Sequence, residues 1–242
     1  MNSERVAVIL GARNLGGAIL DHLIAEGWRG SAIARSEETA AAVRERGALG
    51  IAADASDVDD LAAALGRVRE DLGSPRLIVN AVTAARPPDD GAPWGGGPLA
   101  EATVAGFRGW AAAVAEQSFV FLSTGIAALR ESGGGTLIQV TGGSSRRAMA
   151  GRGLWSAGAQ ATRAMVHAAA QELREEGIHV AILIVDATIE SPKTADFTRG
   201  QPRDALADQG LIAQAVSFLA GQERRAYTHE LMVTPAGDTW VP

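Results

Sequence analysis

Short apolar runs alternate with stretches of helical periodicity from one end of the chain to the other. Val6–Leu10 is unbroken apolar text stopped by Gly11, the pattern of a strand buried on both faces. Ile19, Leu20, Leu23 and Ile24 then recur on one helical face, and Glu26-Gly27 closes that helix. The same reading predicts further strands at Ser31–Ala34, Leu49–Ala53, Leu77–Asn80, Leu137–Thr141, His179–Val185 and Leu231–Val233. It predicts helices over Glu37–Arg46, Val58–Leu72, Glu101–Glu131, Gly153–Glu176 and Asp204–Gly221. Strands alternating with helices give a parallel sheet with right-handed crossovers. The fold class is therefore α/β, one doubly wound parallel sheet with helices on both faces. Arg86–Pro98 interrupts the pattern with four prolines and four glycines. The alternation resumes unchanged after it, so it reads as a long loop over a pocket, and residues 1–242 as a single domain.

Composition narrows the possibilities. The chain is 47% apolar and 21% charged, which is globular. It has no cysteine, so disulfides, thiolate metal sites and thiol nucleophiles are excluded. The net charge of −6 argues against nucleic acid as a partner. Met1–Arg5 is short and polar, and no apolar stretch reaches the ~18 residues of a membrane span. No membrane partner and a cytoplasmic location are expected. His22, His167, His179 and His229 are scattered without metal-ligand spacing, so no metal site is expected.

The first strand runs into Leu10-Gly11-Ala12-Arg13-Asn14-Leu15-Gly16, which opens a helix. A glycine-rich turn lets backbone approach a pyrophosphate, and the helix behind it offers free N–H groups and a positive dipole end. A tight strand–helix turn with no ligand would leave the same text.

Along nearly its whole length the chain resembles the short-chain dehydrogenase/reductase family, whose loop reads Thr-Gly-x-x-x-Gly-x-Gly. With Gly16 as the third glycine and no gap, Asn14 falls at the second and Leu10 at the first. With one residue deleted, Gly11 is the first. The resemblance implies a Rossmann-type domain with cofactor contacts at Gly11, Arg13, Asn14, Leu15, Gly16, Arg35, Asp54 and Asn80. Ala34 stands where NAD-selective members carry an acid for the ribose hydroxyl. Arg13 and Arg35 resemble the two basic positions of NADP-selective members, so NADP(H) is the cofactor implied. Asp54 matches the acid that contacts adenine, and Asn80 is what remains of Asn-Asn-Ala-Gly.

The family's chemistry uses a serine at the end of strand five, a tyrosine thirteen residues on, and a lysine four further. With Gly135-Thr136-Leu137-Ile138-Gln139-Val140-Thr141-Gly142 as strand five, those positions hold Gly142, Trp155 and Ala159. Trp155-Ser156-Ala157-Gly158-Ala159 resembles Tyr-Ser-Ala-Ser-Lys and supports the register. The helix-four asparagine falls near Ala115 or Glu116. After strand six, Val185-Asp186 replaces Pro-Gly, and Glu190 replaces a threonine. Asp186 and Glu190 are therefore candidate carboxylates beside the pocket, as bases or as caps of the next loop.

What the resemblance implies is a degenerate member, with the fold and an NADP(H)-binding half but without standard carbonyl reduction. Its role would be binding, regulatory or that of a partner subunit. Two other readings stay open: a non-redox enzyme reusing the pocket through Asp186, Glu190 or Arg152, and a reductase with an unusual donor such as bound water. Each leaves room for a small-molecule ligand in the pocket. The two long helices correspond to those through which the family dimerises. Ala157, Gly158, Ala161, Ala164 and Ala168 would let helices approach closely, so a homodimer or homotetramer is expected.

Overall fold

Seven parallel strands form one sheet in the order β3-β2-β1-β4-β5-β6-β7, as a computed structural model describes it for residues 5–238. The strands are β1 (Val6–Leu10), β2 (Arg29–Ala34), β3 (Leu49–Ala52), β4 (Pro75–Asn80), β5 (Gly135–Gly142), β6 (Ile178–Val185) and β7 (Glu230–Val233). The helices are α1 (Leu15–Ala25), α2 (Glu37–Glu45), α3 (Val58–Leu72), α4 (Val104–Glu131), α5 (Gly153–Leu173), α6 (Ala195–Thr198) and α7 (Gln209–Ala220). Chain order reverses between β1 and β4, which opens a crevice at the carboxyl ends of those strands. Of the lead Met1–Arg5, only Arg5 lies within the described residues.

Both faces of the sheet are covered, which is why the strands read as continuous apolar runs. Val6, Val8 and Leu10 of β1 join the core shared with α3, α4 and α5. Ala7 and Ile9, pointing the opposite way, join the core shared with α1, α2 and α7. Leu10 is thus fully buried inside the sheet's own packing and does not line the glycine loop.

Several helix starts depend on side-chain caps. Asp57 accepts hydrogen bonds from the Asp59 and Asp60 amides at 3.0 Å, which accounts for the acidic cluster there. Two sequence expectations shift for the same reason. The fourth helix begins at Val104 rather than Glu101, because Thr103 accepts from Gly106 N at 2.9 Å while residues 98–101 form a turn. The last helix begins at Gln209 rather than Asp204, because Asp208 accepts from Leu211 N at 3.0 Å. Arg203–Ala205 is a separate 3-10 turn.

By length and composition α4 is apolar enough to cross a membrane, which the sequence reading had not anticipated. In the fold it is a core helix: Phe121 and Leu129 are fully buried against the sheet. Near its start the helix widens by a π turn, Arg108–Ala112. The Gly109 carbonyl accepts from Arg86 N at 2.8 Å, and a Cβ on Gly109 would lie 2.2 Å from Arg86 O. The wide turn and the bare glycine together admit the long loop.

Three buried amides tie the centre together. Asn80, fully buried at the end of β4, donates to Gln117 Oε1 of α4 and Gln139 Oε1 of β5, each at 2.9 Å. Its own oxygen accepts from Val82 N, and Gln117 Nε2 reaches Ala55 O. Replacing Gln117 by Leu would leave an Asn80 donor and the Ala55 carbonyl unpaired. Each such loss costs about 1–3 kcal/mol, so chemical denaturation of Gln117→Leu should show a destabilisation of about 2 kcal/mol or more. A change below about 0.5 kcal/mol, the range of an ordinary surface substitution, would show the network to be dispensable.

Candidate nucleotide and active-site region

The crevice has a glycine-loop end and a chemical end. At the first, Gly11 has φ +83° and its amide donates to Ile33 O of β2 at 2.8 Å. Asn14 is the only described non-glycine residue with positive φ, 49°, and stands at the turn into α1. A Cβ on Gly16 would lie 1.7 Å from Gly11 O, so no other residue fits there. These conformations settle the register. Gly11, Asn14 and Gly16 are the three special positions of a loop shortened by one residue, and Leu10 belongs to the strand. The ψ of −118° at Asn14 makes this the glycine-favoured first central position of a II′-type turn, which Asn is among the few other residues to adopt. Leu15 is half-buried against the α1 core, so its side chain faces the protein.

Arg13 and Arg35 are both exposed, one on this loop and one directly after β2. Neither has a hydrogen-bond or ionic partner among the described residues. Asp54, after β3, accepts from Ser56 N at 2.9 Å and stands 4.0 Å from Arg86. Asn80 lies beneath the loop, but its amide is consumed by Gln117, Gln139 and Val82. It organises the crevice floor and offers no side-chain group to a ligand.

At the chemical end, β5 finishes at Gly142 and turns through Gly143–Ser145, where Ser145 Oγ donates to Gly142 O. The Asp186 carboxylate lies across Gly143, 2.0 Å from where a Cβ would stand, and pairs with Arg147 at 3.2 Å. Glu190 does not join it. It is exposed, 3.9 Å from Arg203, and its amide donates to Ala207 O. Ala159 is buried within α5.

Trp155 meets two tryptophans that sequence reasoning missed. Ring centroids lie 5.3 Å from Trp94 and 6.2 Å from Trp110, and Trp94 lies 5.7 Å from Trp110. Arg152 stacks on Trp94 at 4.9 Å. Trp94, carried by the 86–98 loop, is 55% exposed, so its ring lies at the surface over Trp110 and Trp155. Gly95, Gly96 and Gly97, all at positive φ, press the loop onto the start of α5. A Cβ on Gly96 would lie 2.7 Å from Leu154. A cavity of about 570 Å³ lies between Glu190, Arg203, Leu211 and Pro235.

The chain's only tyrosine, Tyr227, is outside this region. It stacks on His179 at the opposite end of the sheet, with centroids 4.2 Å apart. Burial and the neighbouring His229 push the His179 imidazole down, against the Thr228 carbonyl, which raises it. The only lysine, Lys193, is exposed on a 3-10 turn after β6. Among the described residues no tyrosine–lysine pair forms anywhere.

A family model described as short chain dehydrogenase matches residues 5–199. The chain belongs to the short-chain dehydrogenase family. Solved structures of the same fold include an actinorhodin polyketide ketoreductase variant with NADPH. It is 21% identical over 99% of both chains, with a TM-score of 0.81. A metagenomic short-chain oxidoreductase in complex with NADP is 25% identical, over 97% of this chain and 98% of that one, at 0.73. A short-chain dehydrogenase from Rhodopseudomonas palustris is 22% identical, over 96% and 99%, at 0.72. No curated protein matches the chain.

In this family member one carboxylate fixes the turn after β5. Glu230 of β7 accepts from Arg146, from Arg163 at 2.6 Å, and lies 2.9 Å from His167. Burial alone would raise its pKa, but the hydrogen bonds and charges of Arg163 and Arg146 outweigh that and hold it below the usual carboxylate range. A depressed carboxyl contributes stability above its unfolded pKa, about 4.3, and loses it as pH falls through the folded value. Glu230→Gln should therefore melt below wild type at neutral pH, and the two melting temperatures should converge in acid. A gap that stays constant down to about pH 3, below the unfolded carboxyl, would assign Glu230 a packing role only.

Proposed function

We propose that this NAD(P)-binding-fold protein binds NADP(H) in preference to NAD(H) and does not perform the family's carbonyl reduction. It serves as a binding, regulatory or partner subunit in the cytoplasm, consistent with a chain lacking cysteine. One observation carries the reading: the chain's only tyrosine is stacked on His179 at the opposite end of the sheet, while by spacing from Gly142 the positions of proton donor and lysine fall on Trp155 and Ala159. Indole N–H does not titrate usefully, so Trp155 is no substitute. The cofactor preference rests on Ala34, which lacks an acid, and on the unpartnered Arg13 and Arg35. The metagenomic relative was solved with NADP, which supports the same choice.

Asp186 gives the non-redox reading its one foothold, a carboxylate beside the end of β5. Its pairing with Arg147 leaves it less free as a base. The reading with a water donor has no observation of its own.

The decisive assay is NADPH oxidation by purified protein against ketones, aldehydes and quinones. General acid–base catalysis contributes about 10²–10⁴-fold, so turnover should fall at least that far below the ~10 s⁻¹ of an ordinary enzyme. Turnover near ~10 s⁻¹ would overturn the proposal, and substrate conversion without any nucleotide would favour the Asp186 reading.

We also propose a homo-oligomer through α4 and α5. Gly158 is used within the chain, since a Cβ there would lie 2.9 Å from Ala111 O of α4. Ala157, Ala164, Ala168 and Phe119 remain exposed on these helices and form the face available to a second copy. Light scattering should give at least twice the 24.9 kDa chain mass. A monomer at micromolar concentration would contradict this assembly.

A further inference from the structure

Two buried donors near the start of α5 have no acceptor. Trp110 is 6% exposed and Ser156 1%, yet Trp110 Nε1 and Ser156 Oγ have no hydrogen-bond partner among the described residues. A buried donor left unpaired is costly, and an indole N–H can only donate, so it calls for an acceptor. The Trp110 ring stands T-shaped against both Trp94 and Trp155, and Ser156 directly follows Trp155 on α5. A cation stands at the same place. Arg152 Cζ lies 4.9 Å over the Trp94 ring. Its other polar side-chain contact among the described residues is Met149 Sδ at 4.0 Å, and a thioether is a weak acceptor. The bare Gly95 makes room for the arginine's stem, since a Cβ there would lie 2.9 Å from Arg152 Cγ. Trp94 is the ring that reaches the surface. The backbone behind it is held, because Trp155 N donates to Gly95 O at 3.3 Å and Gly97 bridges to Arg152. The ring can therefore turn about its own side-chain bonds, without disturbing the loop, and open a way to Trp110.

We propose that this cluster binds a planar aromatic carboxylate, with its rings among the tryptophans and its carboxylate on Arg152 and the Trp110 N–H. The inference goes beyond the nucleotide reading and does not depend on it. The composition of the site sets the ligand class. Three indoles offer stacking and edge contacts to a flat apolar body. Among the described residues Arg152 is the one cation stacked on these rings. One guanidinium balances one negative charge, and its planar fork matches the two oxygens of a carboxylate. A neutral ligand would leave that cation unused, and a dianion would leave a charge uncompensated. The open N–H of Trp110 requires an acceptor, which excludes an ammonium group in its place.

The test is titration of the nitrogen-15-labelled full chain, without nucleotide, with three probes: 2-naphthoate, 2-naphthalenemethanol and acetate. They carry ring and charge, ring alone, and charge alone. The inference expects 2-naphthoate to bind about tenfold or more tighter than either of the others, as one charge-assisted contact implies. The indole N–H resonance of Trp110, assigned by its loss in Trp110→Phe, should move downfield with 2-naphthoate only. Arg152→Ala should bring 2-naphthoate to the affinity of 2-naphthalenemethanol and leave the latter unchanged. Arg152 is exposed and has no acidic partner among the described residues, so circular dichroism should not change. Trp94→Ala should weaken both ring-bearing probes. Equal affinity of 2-naphthoate and 2-naphthalenemethanol would reduce the cluster to an apolar surface and overturn the inference. So would binding of 2-naphthoate that leaves the Trp110 resonance in place, or no binding of it at millimolar concentration. NADP⁺ titrated into the same sample reports on the nucleotide reading separately.

Discussion

The fully buried amide of Asn80 is the constraint on which the crevice depends. It stands where β4 ends, between the glycine-loop end and the chemical end, and it binds α4 and β5 through Gln117 and Gln139. Through Val82 N it sets the start of the loop after β4, and through Gln117 it reaches the turn after β3. Four segments that border the crevice are thus fixed by one satisfied network. Buried amides are costly when any partner is missing, so such a network specifies one arrangement rather than several. Val82 carries the effect upward, since its Cγ2 lies 3.3 Å from where a Gly11 Cβ would stand. The open glycine loop and the ordered floor are two aspects of the same packing.

From that floor the two ends diverge. The loop end keeps positive φ at Gly11 and Asn14 and a glycine at position 16 that no side chain could replace. At the other end, the three glycines of residues 95–97 bring a half-exposed Trp94 against Trp155 and Trp110, and Asp186 lies over Gly143. Membership in the short-chain dehydrogenase family establishes the scaffold, and the groups at the end of β5 determine what the scaffold can do.

The fold was legible in the sequence because doubly wound strands are apolar throughout and helices carry their own period. Each predicted strand and each long predicted helix is present, Val6–Leu10 and Val58–Leu72 with the bounds expected and others with shifted ends. Those shifts at Val104 and Gln209 came from caps, Thr103 and Asp208, whose choice among several polar residues depends on local geometry. The glycine-loop register was not legible, because Leu10 and Gly11 are distinguished only by the burial of one and the positive φ of the other. Trp155 was found by spacing from Gly142. Its partners were not, since Trp94 sits in proline- and glycine-rich text and Trp110 in an apolar helix. Gln117 was hidden likewise, one polar residue in a core helix. Glu230 lay in text read only for its resemblance. The composition did hold one unused signal: a single tyrosine and a single lysine, in a family whose chemistry requires both within five residues.

The central claim is that the glycine-loop end offers free cations to a nucleotide while the end beside β5 lacks the family's proton donor. A crystal structure of the protein with NADP⁺ tests this most directly. The account predicts an ordered 2′-phosphoadenosine against Arg13 and Arg35, with no titratable proton donor facing the nicotinamide beside Gly142. An ordered nicotinamide seated over Gly142 and Gly143 with a titratable proton donor within hydrogen-bond reach of the ring would contradict it.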